Sequence, residues 1–227
     1  MNSQQNSLGP LQQDEAYELS FRLRLPAPAR PRACVVLLHG VGSSETSLAD
    51  LATTIDSDTL VVFPRGPVQF APGQFGWFHV AFTPSGPSID AAEADASRLS
   101  LLRFLEQLQS AYGIAPQNTV IAGFSQGGIL SASVALSEPE HVAGFAVLSG
   151  RILPELEAHL ASTQRLAHLR GFIAHGEYDS KLPKAWAQRA DQWLEKLGVA
   201  RATHFYPIDH GIMRKCSRTF WSGSNNE

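Results

Sequence analysis

The sequence predicts an α/β architecture: a mostly parallel, doubly wound sheet with helices on both faces and an antiparallel strand at one edge. Three observations carry that expectation. Short apolar runs recur along the chain, helical stretches with a single apolar stripe lie between them, and the first extended segment alternates where the later ones do not. In such a sheet, sites form at the carboxyl ends of strands.

Residues 17–25 read Tyr-Glu-Leu-Ser-Phe-Arg-Leu-Arg-Leu, the period-two pattern of an edge or antiparallel strand with one wet face. A proline-rich stretch, 26–31, ends it. Residues 33–38, Ala-Cys-Val-Val-Leu-Leu, are continuously apolar and rich in β-branched side chains, as a strand covered on both faces must be. Similar runs follow at 60–63, 119–122, 144–148, 171–174 and 203–206. Between them, 89–112 spaces Ala92, Ala96, Leu99, Leu102, Leu105, Leu108 and Tyr112 by three and four, with Ser88 or Asp90 placed to cap the helix. Residues 129–137 and 184–197, the latter closed by Gly198, repeat the theme. The connection 64–88 is different. It carries Phe70, Phe75, Trp77, Phe78 and Phe82 among glycines and prolines with no regular period, and loops of that length are usually functional.

At 227 residues the chain suits one domain, expected over 16–221. The polar, Gln/Asn-rich residues 1–15 read as a disordered tail, and 222–227 as a flexible end. Residues 1–15 have neither a basic nor an apolar region of the secretory kind, which makes the cytoplasm the expected compartment. With 44% hydrophobic and 17% charged residues the composition is globular, and no apolar run approaches a membrane span. A net charge of -3 without any Lys/Arg block argues against nucleic acid as a partner and for a small molecule. The chain is expected to be a monomer or homodimer. Its two cysteines, Cys34 and Cys216, lack metal-ligand spacing and read as free thiols.

The chemistry is concentrated in Gly123-Phe124-Ser125-Gln126-Gly127, a G-x-S-x-G turn between a strand and a helix. The turn holds Ser125 in a strained conformation above the sheet, and Gly123 and Gly127 leave room where side chains would meet the neighbouring strand and helix. A serine hydroxyl needs a base, and the base needs an acid to set its tautomer. Downstream, the strand 171–174 runs into His175-Gly-Glu-Tyr-Asp179, and 203–206 into Pro-Ile-Asp-His210. Asp179 and His210 therefore follow Ser125 in the order this arrangement requires. Glu177 is a rival acid; Asp209, adjacent to His210, reads as a turn residue, and His39 could serve as base only against the chain order. Gly40-Val-Gly-Ser-Ser-Glu45 begins like a dinucleotide fingerprint but lacks its third glycine. It reads better as an oxyanion turn, with the Val41 and Gln126 backbone N–H groups aimed at one point. No metal or phosphate motif occurs, so no cofactor is expected.

These motifs, together with Phe-Pro64-Arg-Gly, Gly-Trp77-Phe78 and Asp-His210-Gly-Ile, run in order from about 33 to 213. The chain thereby resembles the phospholipase/carboxylesterase branch of the α/β-hydrolases, which includes acyl-protein thioesterases and small bacterial esterases. The resemblance implies Ser125, Asp179 and His210 as catalytic triad and Val41 and Gln126 as oxyanion donors. It places Trp77 in the acyl pocket, with a core anchor as the alternative, and Phe78, His79 and Lys181 around the substrate. His79 stands where the family usually has Asp, Asp179-Ser-Lys181-Leu-Pro183 replaces the usual Asp-Pro-Val-Val-Pro, and Gly follows His210 where the family often has Gly-His. The implied activity is that of a serine carboxylesterase, hydrolysing small to medium acyl esters through an acyl-enzyme. A long-chain thioesterase or lysophospholipase is the alternative, and a non-catalytic binding protein of the same fold a third.

Overall fold

The computed structural model describes residues 7–83 and 86–213. In chain order its strands are β1 (Ser7–Leu8), β2 (Phe21–Leu25), β3 (Ala33–Leu38), β4 (Thr59–Pro64), β5 (Val68–Ala71), β6 (Gln74–Gly76), β7 (Val80–Thr83), β8 (Gly86–Ile89), β9 (Thr119–Phe124), β10 (Gly144–Leu148), β11 (Arg170–Gly176) and β12 (Ala200–Tyr206). The α-helices are α1 (Ala91–Tyr112), α2 (Gln126–Ser137), α3 (Thr163–Leu166) and α4 (Lys184–Lys196). An eight-stranded sheet runs β1-β2-β4-β3-β9-β10-β11-β12, parallel from β4 to β12 and antiparallel at the β1-β2-β4 edge. The expected architecture is the observed one.

Strand β3 shows why continuous apolar runs were required. Cys34, Val36 and Leu38 join the core beneath α1, α2 and α4, while Val35 and Leu37 face the opposite side with Leu48, Leu51, Ala52 and Ile55. Successive side chains leave a strand on opposite faces, so a strand buried on both sides has no place for a polar residue. Burial pushes the Cys34 thiol up to about 12, which leaves it chemically inert. Cys216 and the segments 1–6 and 222–227 lie outside the described residues.

Three local expectations need correction. Residues 7–15 are built into the fold: Ser7–Leu8 pairs with β2, and Gly9 N–H donates to Leu23 O. The alternating segment 17–25 is strand only from Phe21 on. Tyr17 turns its ring edge-on to Phe21 at 5.0 Å, and Glu18 N–H donates to Gln107 of α1, so the chain leaves the sheet plane there. The stripe of α1 is also displaced. Leu102, Leu105 and Leu108 are buried, but Leu99 is 40% exposed and Ala92 and Ala96 face solvent. The buried face continues instead through Ala94, Ser97 and Arg98, because Ser97 Oγ donates to Trp77 O and Arg98 to Ser137 Oγ. Asp90 is the cap, accepting from Ala92 and Glu93 N–H.

The segment 64–88 is two short hairpins, β5-β6 and β7-β8, rather than an irregular loop. They sit on the carboxyl ends of the sheet and are pinned to it by polar contacts. Glu45, with its side chain 2% exposed, binds Arg22 of β2 at 2.8 Å and Arg65 beyond β4 at 2.8 Å, and the Arg65 guanidinium lies over Phe75 of β6. Burial alone would raise the Glu45 carboxyl, yet the hydrogen bonds from Arg65 and Arg22 together outweigh it and hold the group at about 2.

A carboxyl depressed in the folded state stabilises fully above its ordinary value and loses that contribution as pH falls towards its folded value. Unfolding stability is therefore expected to fall between pH 4.5 and about 2 in part through Glu45. Glu45→Gln is expected to cost about 3 kcal/mol at neutral pH, the usual cost of breaking a buried ion pair, and to flatten that acid limb. Urea denaturation across pH reads both; a variant as stable as the parent would refute the role.

Candidate active site

The turn between β9 and α2 is set by backbone contacts that admit no side chain. A Cβ on Gly123 would stand 2.3 Å from the Gly127 carbonyl carbon, and one on Gly127 would stand 2.2 Å from Leu38 O of β3. Ser125 lies between them at φ 52 and ψ -114, a left-handed conformation that costs a non-glycine residue on the order of 1–3 kcal/mol. Ser125 N–H donates to Leu148 O at 2.8 Å, which ties the strained residue to β10. The expected collisions with strand and helix are the observed ones.

Loops after β11 and β12 bring the other two groups to this turn. His210 Nε2 lies 3.1 Å from Ser125 Oγ, and His210 Nδ1 lies 2.8 Å from Asp179 Oδ2. A carboxylate only accepts, so Nδ1 carries the proton and Nε2 presents its lone pair to the serine hydroxyl. The other oxygen of Asp179 accepts from Lys181 N–H at 2.9 Å and Leu182 N–H at 2.8 Å. The Asp179 side chain is fully buried, and His210 packs against the Phe124 ring at 4.9 Å between centroids. This arrangement can deprotonate Ser125 as it attacks and return the proton to a leaving group.

The rivals hold other posts. Glu177 is exposed and faces Lys184 Nζ at 3.6 Å. His39 is buried; its Nε2 accepts from Gly66 N–H at 3.0 Å and its Nδ1–H donates to Gly40 O, and burial lowers its pKa, so it stays neutral and holds backbone. Asp209 is more than a turn residue. Its Oδ1 accepts from both Ser180 N–H and His210 N–H at 2.7 Å, joining the acid loop to the base loop. Gly176 allows this crossing, since a Cβ there would stand 2.4 Å from Asp209 O. His175 donates from Nε2 to Leu182 O at 2.8 Å and lies 3.4 Å from Asp179 Oδ2, while its buried Nδ1 has no partner among the described residues.

Val41 sits in the turn after β3, held at the next residues by Gly42 N–H to Phe75 O at 2.8 Å and Phe75 N–H to Ser43 O at 2.7 Å. A Cβ on Gly40 would touch Ser125 Cβ at 3.4 Å, so the turn lies directly against the serine. Gln126 opens α2, where an N–H has no preceding turn to bond to. Its side chain has a task that the sequence did not announce: Oε1 accepts from Trp77 N–H at 2.8 Å and Nε2 donates to Phe78 O at 2.7 Å. One residue thus couples the serine turn to the aromatic hairpins.

Beside Ser125 lies a cavity of about 40 Å³ whose walls include Val41, Phe78, Val80, Ile89, Ile129 and Leu182. Of the four residues expected around the substrate, Phe78 lines it. Trp77 is buried behind, donating Nε1–H to His39 O at 2.9 Å, and acts as the core anchor. His79 turns away to Glu93 at 2.7 Å, stapling the hairpins to α1, and Lys181 is exposed, serving Asp179 through its backbone.

Fold and site together define a serine hydrolase of the α/β-hydrolase class. Within that class the chain belongs to the phospholipase/carboxylesterase family, whose model matches residues 26–218. It is 31% identical to acyl-protein thioesterase 1 of Eremothecium gossypii over 73% of this chain and 74% of the relative. Carboxylesterase SOBER1 of Arabidopsis thaliana is 28% identical, over 81% of this chain and 86% of that protein. Among solved structures, a carboxylesterase from Mesorhizobium loti superposes with a TM-score of 0.81 at 26% identity, covering 94% of this chain and 98% of that one.

Asp209→Ala removes the carboxylate shared by Ser180 and His210. We expect kcat/KM on a small ester to fall roughly tenfold, the equivalent of one charged hydrogen bond, with Ser125 still labelled by a fluorophosphonate. Unaltered kinetics would show that the two loops hold their geometry without it.

Proposed function

We propose that this chain is a carboxylesterase acting on small to medium acyl esters, with Ser125 as nucleophile, His210 as general base and acid, and Asp179 orienting the imidazole. The observation that carries the reading is the continuous line of hydrogen bonds from Asp179 Oδ2 through His210 to Ser125 Oγ, ending on a serine held at positive φ. Ser125 attacks the ester carbonyl while its proton passes to His210 Nε2, and the oxyanion is held by the Val41 and Gln126 N–H groups. His210 then protonates the departing alkoxide. Water, deprotonated by the same imidazole, releases the acid.

The small apolar cavity beside Ser125, closed on one side by Phe78, Ile129 and Leu182, supports a short acyl group. An acyl-protein thioesterase or lysophospholipase would use the same machinery on a long chain, a reading favoured by the names of several relatives. We place the reaction in the cytoplasm on a small-molecule ester, in keeping with a chain whose described helices include none long and apolar enough to cross a membrane.

Ser125→Ala is expected to lower turnover of p-nitrophenyl acetate by at least ~10⁴-fold without loss of fold, as for other serine hydrolases stripped of their nucleophile. Retained turnover would sink the assignment of Ser125. In a series from acetate to palmitate, kcat/KM should peak at about two to four acyl carbons and drop about tenfold or more at palmitate. A peak at palmitate selects the thioesterase or lysophospholipase reading instead.

A further inference from the structure

Strand β10 ends at Leu148, and the chain turns through Ser149, at φ 47, and Gly150 into Arg151. This turn is packed on the nucleophile. A Cβ on Gly150 would stand 2.9 Å from Ser125 O, and Ser149 Oγ donates to Gly211 O, next to His210, at 2.8 Å. Arg151 therefore emerges at the carboxyl end of the strand adjacent to the one that carries Ser125.

Arg151 stands between two spaces. On one side it completes the cavity beside Ser125; on the other it lines a groove of about 470 Å³, together with Trp186, Arg189, Trp193 and Lys196 of α4 and with Glu157. Its guanidinium lies over the Trp186 ring, 4.4 Å from the centroid. Among the described residues, no carboxylate lies within 4.0 Å of Arg151, Arg189 or Lys196, whereas Arg22, Arg65, Arg98 and Arg201 have such partners and the buried Arg24 is held instead by four backbone carbonyls. Arg151 is half-buried, and burial holds its pKa below the ordinary guanidinium value, with Glu155 acting in the opposite sense at longer range.

A guanidinium fixed by stacking and already stripped of part of its water has lost solvation without gaining a counterion. An anion that reaches it restores the missing interaction at little entropic cost, because the planar fork is already oriented. Arg189 and Lys196, both exposed on the same wall, add attraction at longer range and outnumber Glu157.

We propose that Arg151 and the groove behind it bind an anionic group, a carboxylate or a phosphate, carried by the ester substrate. The preferred substrates are then esters with a negative charge set off from the scissile carbonyl, on either the acyl or the alcohol portion. The inference rests on Ser125 being the nucleophile, because it is the shared boundary between cavity and groove that makes Arg151 a specificity residue.

Two matched pairs of substrates, followed by titration of released acid, separate the sources of charge. Monomethyl glutarate against methyl pentanoate places the anion on the acyl side, and 2-carboxyethyl butyrate against butyl butyrate places it on the alcohol side. In one pair the intact enzyme should favour the anion at least about tenfold in kcat/KM, and about 0.5 M salt should erode that preference. Arg151→Gln should cut the anion-to-neutral ratio about tenfold, mainly through KM, and Arg151→Lys should recover part of it, which a purely structural role for the stack would not produce. Should Arg151→Gln not fold, Arg189→Gln combined with Lys196→Gln on the exposed wall should still lower the ratio about threefold. Neutral esters preferred in both pairs, or a ratio that no variant moves, would overturn the inference. The nucleophile is tested separately: p-nitrophenyl acetate turnover surviving in Ser125→Ala defeats that reading, whereas a dead Ser125→Ala with an unmoved ratio defeats only this one.

Discussion

The site depends on how closely the start of α2 approaches the end of β3. With Gly127 so near Leu38 O that no Cβ fits, the helix begins directly above the sheet, and the strand-to-helix turn has no slack. Ser125 absorbs the resulting strain at φ 52 and is held there by its hydrogen bond to Leu148 O. The same geometry places Ser125 immediately before the N-terminus of α2. Position and positive potential thus come from one packing constraint, and the strain is balanced by burial of α2, whose residues are buried from Gln126 to Ser137.

Around that turn, carboxylates and one amide fix loops by taking backbone N–H groups. Asp179 holds its own loop through Lys181 and Leu182, Asp209 joins it to the His210 loop, and Glu93 fastens the hairpins at His79. Gln126 does the same for Trp77 with its amide. The Leu182 and Trp77 N–H groups are buried, where a missing partner is costly; the other bonds are part-buried or exposed and favour one loop conformation by smaller amounts. The imidazole is thereby held between serine and carboxylate before any substrate arrives, and little reorganisation is needed when charge develops.

Much of this was legible in the sequence because strand and helix periods, and a glycine-framed serine, are local patterns. The buried runs at β3, β9 and β10 and the order Ser125, Asp179, His210 come through directly. The hairpins over 64–88 did not, since strands of three or four residues are too short to establish a period and their aromatics face different neighbours. The same limit explains α1. Reading only apolar positions selected Leu99, whereas the buried face passes through Ser97 and Arg98, polar residues whose partners lie in other elements.

What the sequence by itself determined is the fold class and the identity and order of the three groups now joined by hydrogen bonds, because these follow from local patterns along the chain, and the family, because its ordered motifs are similar to this sequence. Tertiary structure alone decided which residues line the cavity beside Ser125. Trp77 became an anchor and Phe78 the wall, His79 turned to Glu93, and Asp209 and Gln126 became ties between loops. Those assignments depend on which way a side chain points once distant segments converge, and no local period encodes that direction. Arg151 belongs with them: an unremarkable cation in the sequence, it acquires meaning only from the turn that sets it beside Ser125 and from the Trp186 ring on which it lies.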